Sequence, residues 1–115
     1  MGKGTSFESA IVTALARGLE DDRIERRALC GALDRGDIAG VRIGGRRIVI
    51  ECKNEATGKV FKLPEWTAEA QAEAINDGAV VGVVVHKRSG ATDGMKQWVS
   101  MTVADLISII KAAGE

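Results

Sequence analysis

Seven consecutive residues without a polar side chain, Ala79-Val80-Val81-Gly82-Val83-Val84-Val85, restrict the fold of this chain more than any other stretch. They are small or β-branched and lack the apolar–polar alternation of a strand with one wet face, so a strand buried on both faces is expected. Such a strand needs a covering layer on each side. The preceding segment supplies one. Pro64 to Asp77 reads as a helix, with Pro64 in its first turn and Gly78 as its C-terminal stop. Ala68, Gln71, Ala72 and Ile75 make its small-residue face, suited to lying close on a sheet. Before that helix, Arg47-Ile48-Val49-Ile50-Glu51-Cys52-Lys53 alternates as a strand. Strand, helix and strand in this order form a βαβ unit with a parallel pair.

The flanking segments complete the architecture. Thr5 to about Leu19 reads as a helix, because Thr5-Ser6-Phe7-Glu8 fits a capping box and Ile11, Val12, Leu15 and Leu19 form one stripe. Glu8 falls at the centre of that stripe, either as the return carboxylate of the box or as an inward-pointing acid. Glu20 to Cys30 reads as partly helical or as a loop leading to a short strand. Gln97 to Met101 is a further strand carrying Trp98, and Thr102-Val103-Ala104-Asp105 is a second capping box opening a final helix to about Ala112. The expected class is α/β (α+β), a central mixed β-sheet flanked by helices in the order αβββαββα. At 115 residues the chain is expected to be a single domain, residues 1–115.

Charge balances at zero, with 16 basic and 16 acidic residues, so no bulk field selects a polyanionic partner. The distribution is uneven. Arg23, Arg26 and Arg27 cluster early, Arg42, Arg46 and Arg47 flank a pair of glycines, and Lys87-Arg88 follow the valine strand. Acids gather at Glu65, Glu69, Glu73 and Asp77. No apolar run is long enough to span a bilayer, and Met1-Gly2-Lys3-Gly4 leads into an amphipathic helix without a signal peptide. A cytoplasmic protein without a membrane partner is expected, with Cys30 and Cys52 as reduced thiols.

Candidate chemistry centres on Asp37 and the Arg47–Lys53 strand. Alternation puts Val49, Glu51 and Lys53 on one face and Ile48, Ile50 and Cys52 on the other. Charged groups on a half-buried strand must be paired, solvated or bound to a metal. Residues opposite each other in an antiparallel pair share a face, which makes the Gly44-Gly45 turn a test of parity. A two-residue turn pairs Asp37 with Cys52 and sends the two acids to opposite faces. A three-residue loop with Gly45 in the left-handed position, or a compensating bulge, pairs Asp37 with Glu51. A shared acidic site therefore requires an odd loop or a bulge. Two carboxylates and a lysine there suit metal-assisted phosphodiester hydrolysis, and they equally suit a structural ion-pair cluster. His86, the one histidine, is expected to be structural or exposed.

Asp37 followed by Glu51-Cys52-Lys53 at the end of an apolar strand resembles the PD-(D/E)XK nuclease superfamily, with Gly36 standing where the motif has proline. Gly2-Lys3-Gly4-Thr5-Ser6-Phe7-Glu8 is similar to the helix opening of the archaeal-type Holliday-junction resolvases, and the likeness in order and spacing covers nearly the whole chain. The resemblance implies a restriction-endonuclease-like core and a Mg²⁺-dependent structure-selective endodeoxyribonuclease, Mn²⁺ substituting, that cleaves four-way DNA junctions as a homodimer. It implies Glu8, Asp37 and Glu51 as metal ligands, with Lys53 completing the catalytic set. Gln71 becomes a site-edge residue, and Lys3, Arg23, Arg26 and Arg27 become DNA contacts. Asp34 and Glu55 lie near the ligands in sequence but do not fit the motif. Another nuclease of the superfamily, of nicking, repair or restriction type, and a non-catalytic DNA-binding module on the same fold stay open.

Overall fold

The computed structural model describes residues 3–28, 34–55 and 62–115, with side chains from Ser6 onward. Helix α1 spans Lys3–Gly18, followed by the short strands β1 (Glu25–Arg26), β2 (Ile38–Ala39) and β3 (Arg42–Ile43), and the long strand β4 (Arg46–Lys53). Helix α2 (Leu63–Asp77) leads to β5 (Val81–His86), and a 3-10 turn at Gly94–Lys96 leads to β6 (Trp98–Ser100) and α3 (Val103–Ala113). The class is the expected mixed α+β, with six strands and three α-helices among the described residues. Its sheet runs β1-β2-β4-β5-β6, and β3 pairs with β4 beside that path. One more strand appears than expected because the Asp37 segment is broken into β2 and β3.

Strand β5 is buried at all six positions and runs parallel to β4 in the register Glu51 to Val84 and Lys53 to His86. Val81, Val83 and Val85 join Phe7 and Ile11 of α1 and Ile50 of β4 in the larger core, with Ile109 of α3 packed against it. On the opposite face Val84 packs with Trp66 and Ala70 of α2. The valine strand therefore has its two covers. Helix α2 lies so close that a Cβ on Gly82 would sit 2.0 Å from the carbonyl oxygen of Ala70, so the glycine is sterically required.

The ends of the later helices follow their sequence signals. Pro64 occupies the first turn of α2, and Gly78 ends it with φ 65°. The Thr102 side chain accepts from the Asp105 amide at 3.1 Å at the start of α3. The first helix departs from expectation. It begins at Lys3, so Thr5 lies inside its first turn rather than at a cap. Ile11 is buried, Val12 and Leu15 pack against the core, and Leu19 lies past the helix end, exposed.

The small-residue face of α2 is also corrected. Its buried residues are Trp66, Ala70, Glu73, Ala74 and Asp77, whereas Ala68 and Ala72 are exposed and Ile75 is 82 % exposed. The helix turns its acids inward because Asp77 meets Arg47 of β4 at 3.1 Å and Arg27 at 3.6 Å. Arg47 also donates to the Asp77 carbonyl. Apolar periodicity cannot register a face held by ion pairs.

Parity at the hairpin is solved in an unforeseen place. Ile43 pairs with Arg46, so Gly44 and Gly45 form a two-residue turn, both with positive φ. Ile38 nevertheless pairs with Ile50, one residue out of step with that turn. The extra residue is Gly40, at φ 94°, where a Cβ would meet the Arg23 carbonyl oxygen at 2.9 Å. With this bulge the Asp37 amide meets the Ile50 carbonyl and the Asp37 carboxylate comes beside Glu51. The three-residue loop does not occur; the compensating bulge does.

Candidate functional site

The acids gather at the C-terminal end of β4, under the middle turns of α2. Asp37 is clasped to the strand: its amide donates to the Ile50 carbonyl at 2.9 Å, and its Oδ2 accepts from the Cys52 amide at 2.7 Å. Gly36, at φ 95°, sets the bend that delivers it, with its Cα packed so closely that a Cβ would lie 2.7 Å from Val49. Proline, locked near φ −65°, cannot take this conformation, so the bend calls for glycine.

Glu51 is 4 % exposed. Its Oε2 lies 3.4 Å from Lys53 Nζ, while its Oε1 has no hydrogen-bond partner. Burial, then hydrogen bonds with Glu69 and Asp37, hold its carboxyl far above the ordinary carboxylate range. Glu69, in contrast, is held low, first by the hydrogen bond from Glu51 and then by Lys53. Burial pulls the Lys53 ammonium down, but its hydrogen bond to Glu69 and the charges of Glu51 and Glu69 outweigh that and hold it up. Lys53 donates to both oxygens of Glu69, at 3.0 and 3.2 Å, and stays cationic.

Two further acids, outside the motif, complete the cluster. Glu73, one turn beyond Glu69 on α2, is 2 % exposed, and neither of its oxygens has a hydrogen-bond partner. Burial and contact with Asp34 push its carboxyl up to about 8. Asp34, Glu69 and Glu73 each offer a carboxylate oxygen, and the three oxygens lie within 4.8 Å of one another. Asp34 does not fit the motif but reaches the cluster from the segment before β2. A signal for α2 stood in the sequence: Glu65, Glu69, Glu73 and Asp77 recur every four residues, which is one helix face. A charge run of this kind usually faces water; here its later members face the sheet.

Glu8 has a different setting. It packs from the α1 side, where its carboxylate accepts from Arg26 Nε at 3.2 Å. It lies near enough to Cys52 for its charge, after burial and Asp37 and before Glu51, to push that thiol up. Among the described residues it shares no group of three close carboxylates with Asp37 and Glu51. Gln71 donates to Asp105 of α3 at 3.2 Å, so its amide ties two helices together. Of the expected DNA contacts, Arg23 is exposed and paired with Asp21, Arg26 is half-exposed, and Arg27 turns inward to Asp77. The side chain of Lys3, like Cys30, lies outside the described residues. His86 is buried, 2.7 Å from Ser100 Oγ and beside the Trp66 ring, which is the structural role expected of it. No helix among the described residues is long and apolar enough to cross a membrane.

Comparison with protein-family models, with curated proteins and with solved structures finds no match for this chain. The chemistry of the site therefore rests on its own residues.

Proposed function

We propose that the protein is a Mg²⁺-dependent, structure-selective endodeoxyribonuclease acting on branched DNA, with the four-way junction as its substrate. One observation carries this reading. Glu51 is buried with an unpartnered oxygen between Asp37 and Lys53, at the end of the strand where the acid–any–lysine motif falls. A buried carboxylate in that state is costly unless a cation or proton completes it.

The donor set fits a hard divalent cation, since it offers carboxylate oxygens and no imidazole. Asp37 and Glu51 would hold it, while Glu8, paired with Arg26 on the α1 side of the sheet, stays outside the ligand set. When bound, Mg²⁺ supplies an acidified water and neutralises charge developing on the phosphorus centre. The chain's own residues set the rest. The Cys52 amide fixes Asp37, and Lys53 keeps its proton beside Glu51, where its ammonium can hold a phosphate oxygen or the attacking water. Arg23, exposed before β1, and Arg26, half-exposed within it, would meet backbone phosphates, and Arg27 stays with the fold.

Symmetric cleavage of a junction needs two sites, so the active species is a homodimer. Helix α3 offers the surface. Ile109 and Ala112 turn inward, yet Val103, Leu106, Ile107 and Ile110 form an exposed stripe on its other side, with Trp98 and Val99 of β6 exposed as well. An apolar stripe this exposed on a helix is one that expects cover. The stripe is self-complementary when two copies of α3 cross antiparallel, Val103 facing Ile110 and Leu106 facing Ile107. Ile107→Asp is expected to convert a dimer to a monomer in light scattering; a wild-type chain monomeric at micromolar concentration removes the dimer from the proposal.

The activity test sets four-way junctions against matched linear duplexes under Mg²⁺. Paired symmetric nicks confined to the junction support the reading. Equal cutting of linear duplex moves the protein to another nuclease type. Junction binding without cleavage in Mg²⁺ or Mn²⁺ leaves only a DNA-binding module.

A further inference from the structure

We propose that Asp34, Glu69 and Glu73 form a second divalent-cation site, adjoining the one at Asp37 and Glu51. The three carboxylate oxygens already lie within 4.8 Å of one another. Glu73 is the second and independent observation: it is 2 % exposed, and both of its oxygens are buried without a hydrogen-bond partner. Unlike Asp77 on the same helix, it has no arginine against it.

Local structure holds the three ligands in place. Glu69 and Glu73 are one turn apart on α2, so they project side by side toward the sheet. Asp34 is tied to the same helix, because Asn76 Nδ2 donates to its carbonyl at 2.9 Å, and its own Oδ1 accepts from the Gly36 amide at 2.9 Å. That turn leads directly into Asp37, so the two sites share one segment of backbone.

Lys53 lies against both sites, its ammonium 3.4 Å from Glu51 and 3.0 Å from Glu69. The charge count points the same way. Asp34, Asp37, Glu51, Glu69 and Glu73 bring five negative charges against one ammonium when all are ionised, a deficit of four. One divalent cation leaves two charges uncompensated near a buried carboxylate, and two cations balance the set. All the donors are hard oxygens, which selects Mg²⁺, Mn²⁺ or Ca²⁺ over zinc or copper.

The second site does not depend on the nuclease reading, and its test uses no DNA. Mn²⁺ binding to the full chain is measured by titration calorimetry and by the spin-resonance signal of free Mn²⁺. Wild type is expected to bind two ions. Glu73→Gln is expected to bind one, as is Asp37→Asn, each losing a different ion. Asp34→Asn, a change at an exposed position that spares the fold, is expected to weaken one of the two by about tenfold or more. A single ion in wild type overturns the second site, and so does retention of both ions by Glu73→Gln. Two ions bound by a chain that never cleaves DNA would sink the nuclease and leave the site standing.

Discussion

Glu73 and Asp77 sit one turn apart on α2 and are both buried, yet their surroundings are opposite in kind. Asp77 is enclosed by cations: Arg47 at 3.1 Å, Arg27 at 3.6 Å. Glu73 faces other acids and has no hydrogen bond to either oxygen. An acid of the first kind locks β4, β1 and α2 together. One of the second kind is destabilising as it stands and is tolerable only with a proton or a cation. Along one helix, the partner set separates the acid that holds the fold from the acid that serves a site.

The contrast is tested most sharply at Glu51, which belongs with Glu73. Glu51→Gln is expected to lower junction cleavage by about a thousandfold or more while the chain stays folded, because an amide keeps the volume and loses the metal ligand. Single-turnover assays with parallel circular dichroism read both halves of that statement. Loss of fold, or cleavage within tenfold of wild type, would remove Glu51 from the chemistry.

Stability should then move in opposite directions at the two helix acids. Asp77→Ala is expected to cost about 2 kcal/mol in urea unfolding. That lies below the ~3–5 kcal/mol of a fully enclosed pair, because Arg47 remains 43 % exposed and can hydrate. Glu73→Gln, measured in chelator, is expected to gain about 1 kcal/mol by removing a group that resists ionisation. Two changes of the same sign would erase the distinction drawn between them.

pH offers a milder probe. The Glu73 carboxyl sits at about 8 against an ordinary value of 4.5, so the folded state holds a proton that the unfolded state releases. That contribution is complete below the ordinary value and is lost as pH climbs through the folded one. In chelator, the melting temperature is expected to fall between pH 5 and roughly 9, and less steeply in Glu73→Gln. Millimolar Mn²⁺ should flatten the same curve. The smallest effect is expected at Gln71, whose hydrogen bond goes to Asp105. Gln71→Ala should cost no more than about 1 kcal/mol and leave cleavage within roughly twofold; a large loss of cleavage would return Gln71 to the site.

Much of this was legible in the residues. The seven-residue apolar run forced covers on both faces, and the order strand, helix, strand fixed the parallel pair β4–β5. Pro64, Gly78 and Thr102 marked helix ends through backbone chemistry that acts locally. What escaped was set by partners far away in sequence. The buried face of α2 depends on Arg27 and Arg47, 50 and 30 positions from Asp77, and the four-residue spacing of its acids marked a face without saying that it turns inward. Asp34 entered the acid cluster through a loop contact to Asn76. The first capping box was a sequence match inside a helix that had already begun. For Asp37, the parity requirement was readable and its solution was not, since many glycines could have supplied the extra residue.

The bulge at Gly40 makes the length of this segment quantised. Between Asp37 and the turn, adding or losing one residue rotates the acid by half a turn to the far side of the sheet, whereas a change of two restores it. Deleting Gly40 should therefore give a chain that still shows native-like circular dichroism but no longer loses a Mn²⁺ ion on Asp37→Asn. Lineages that carry this site are then constrained to drift in even steps here, a restriction on insertions and deletions that no single substitution would reveal.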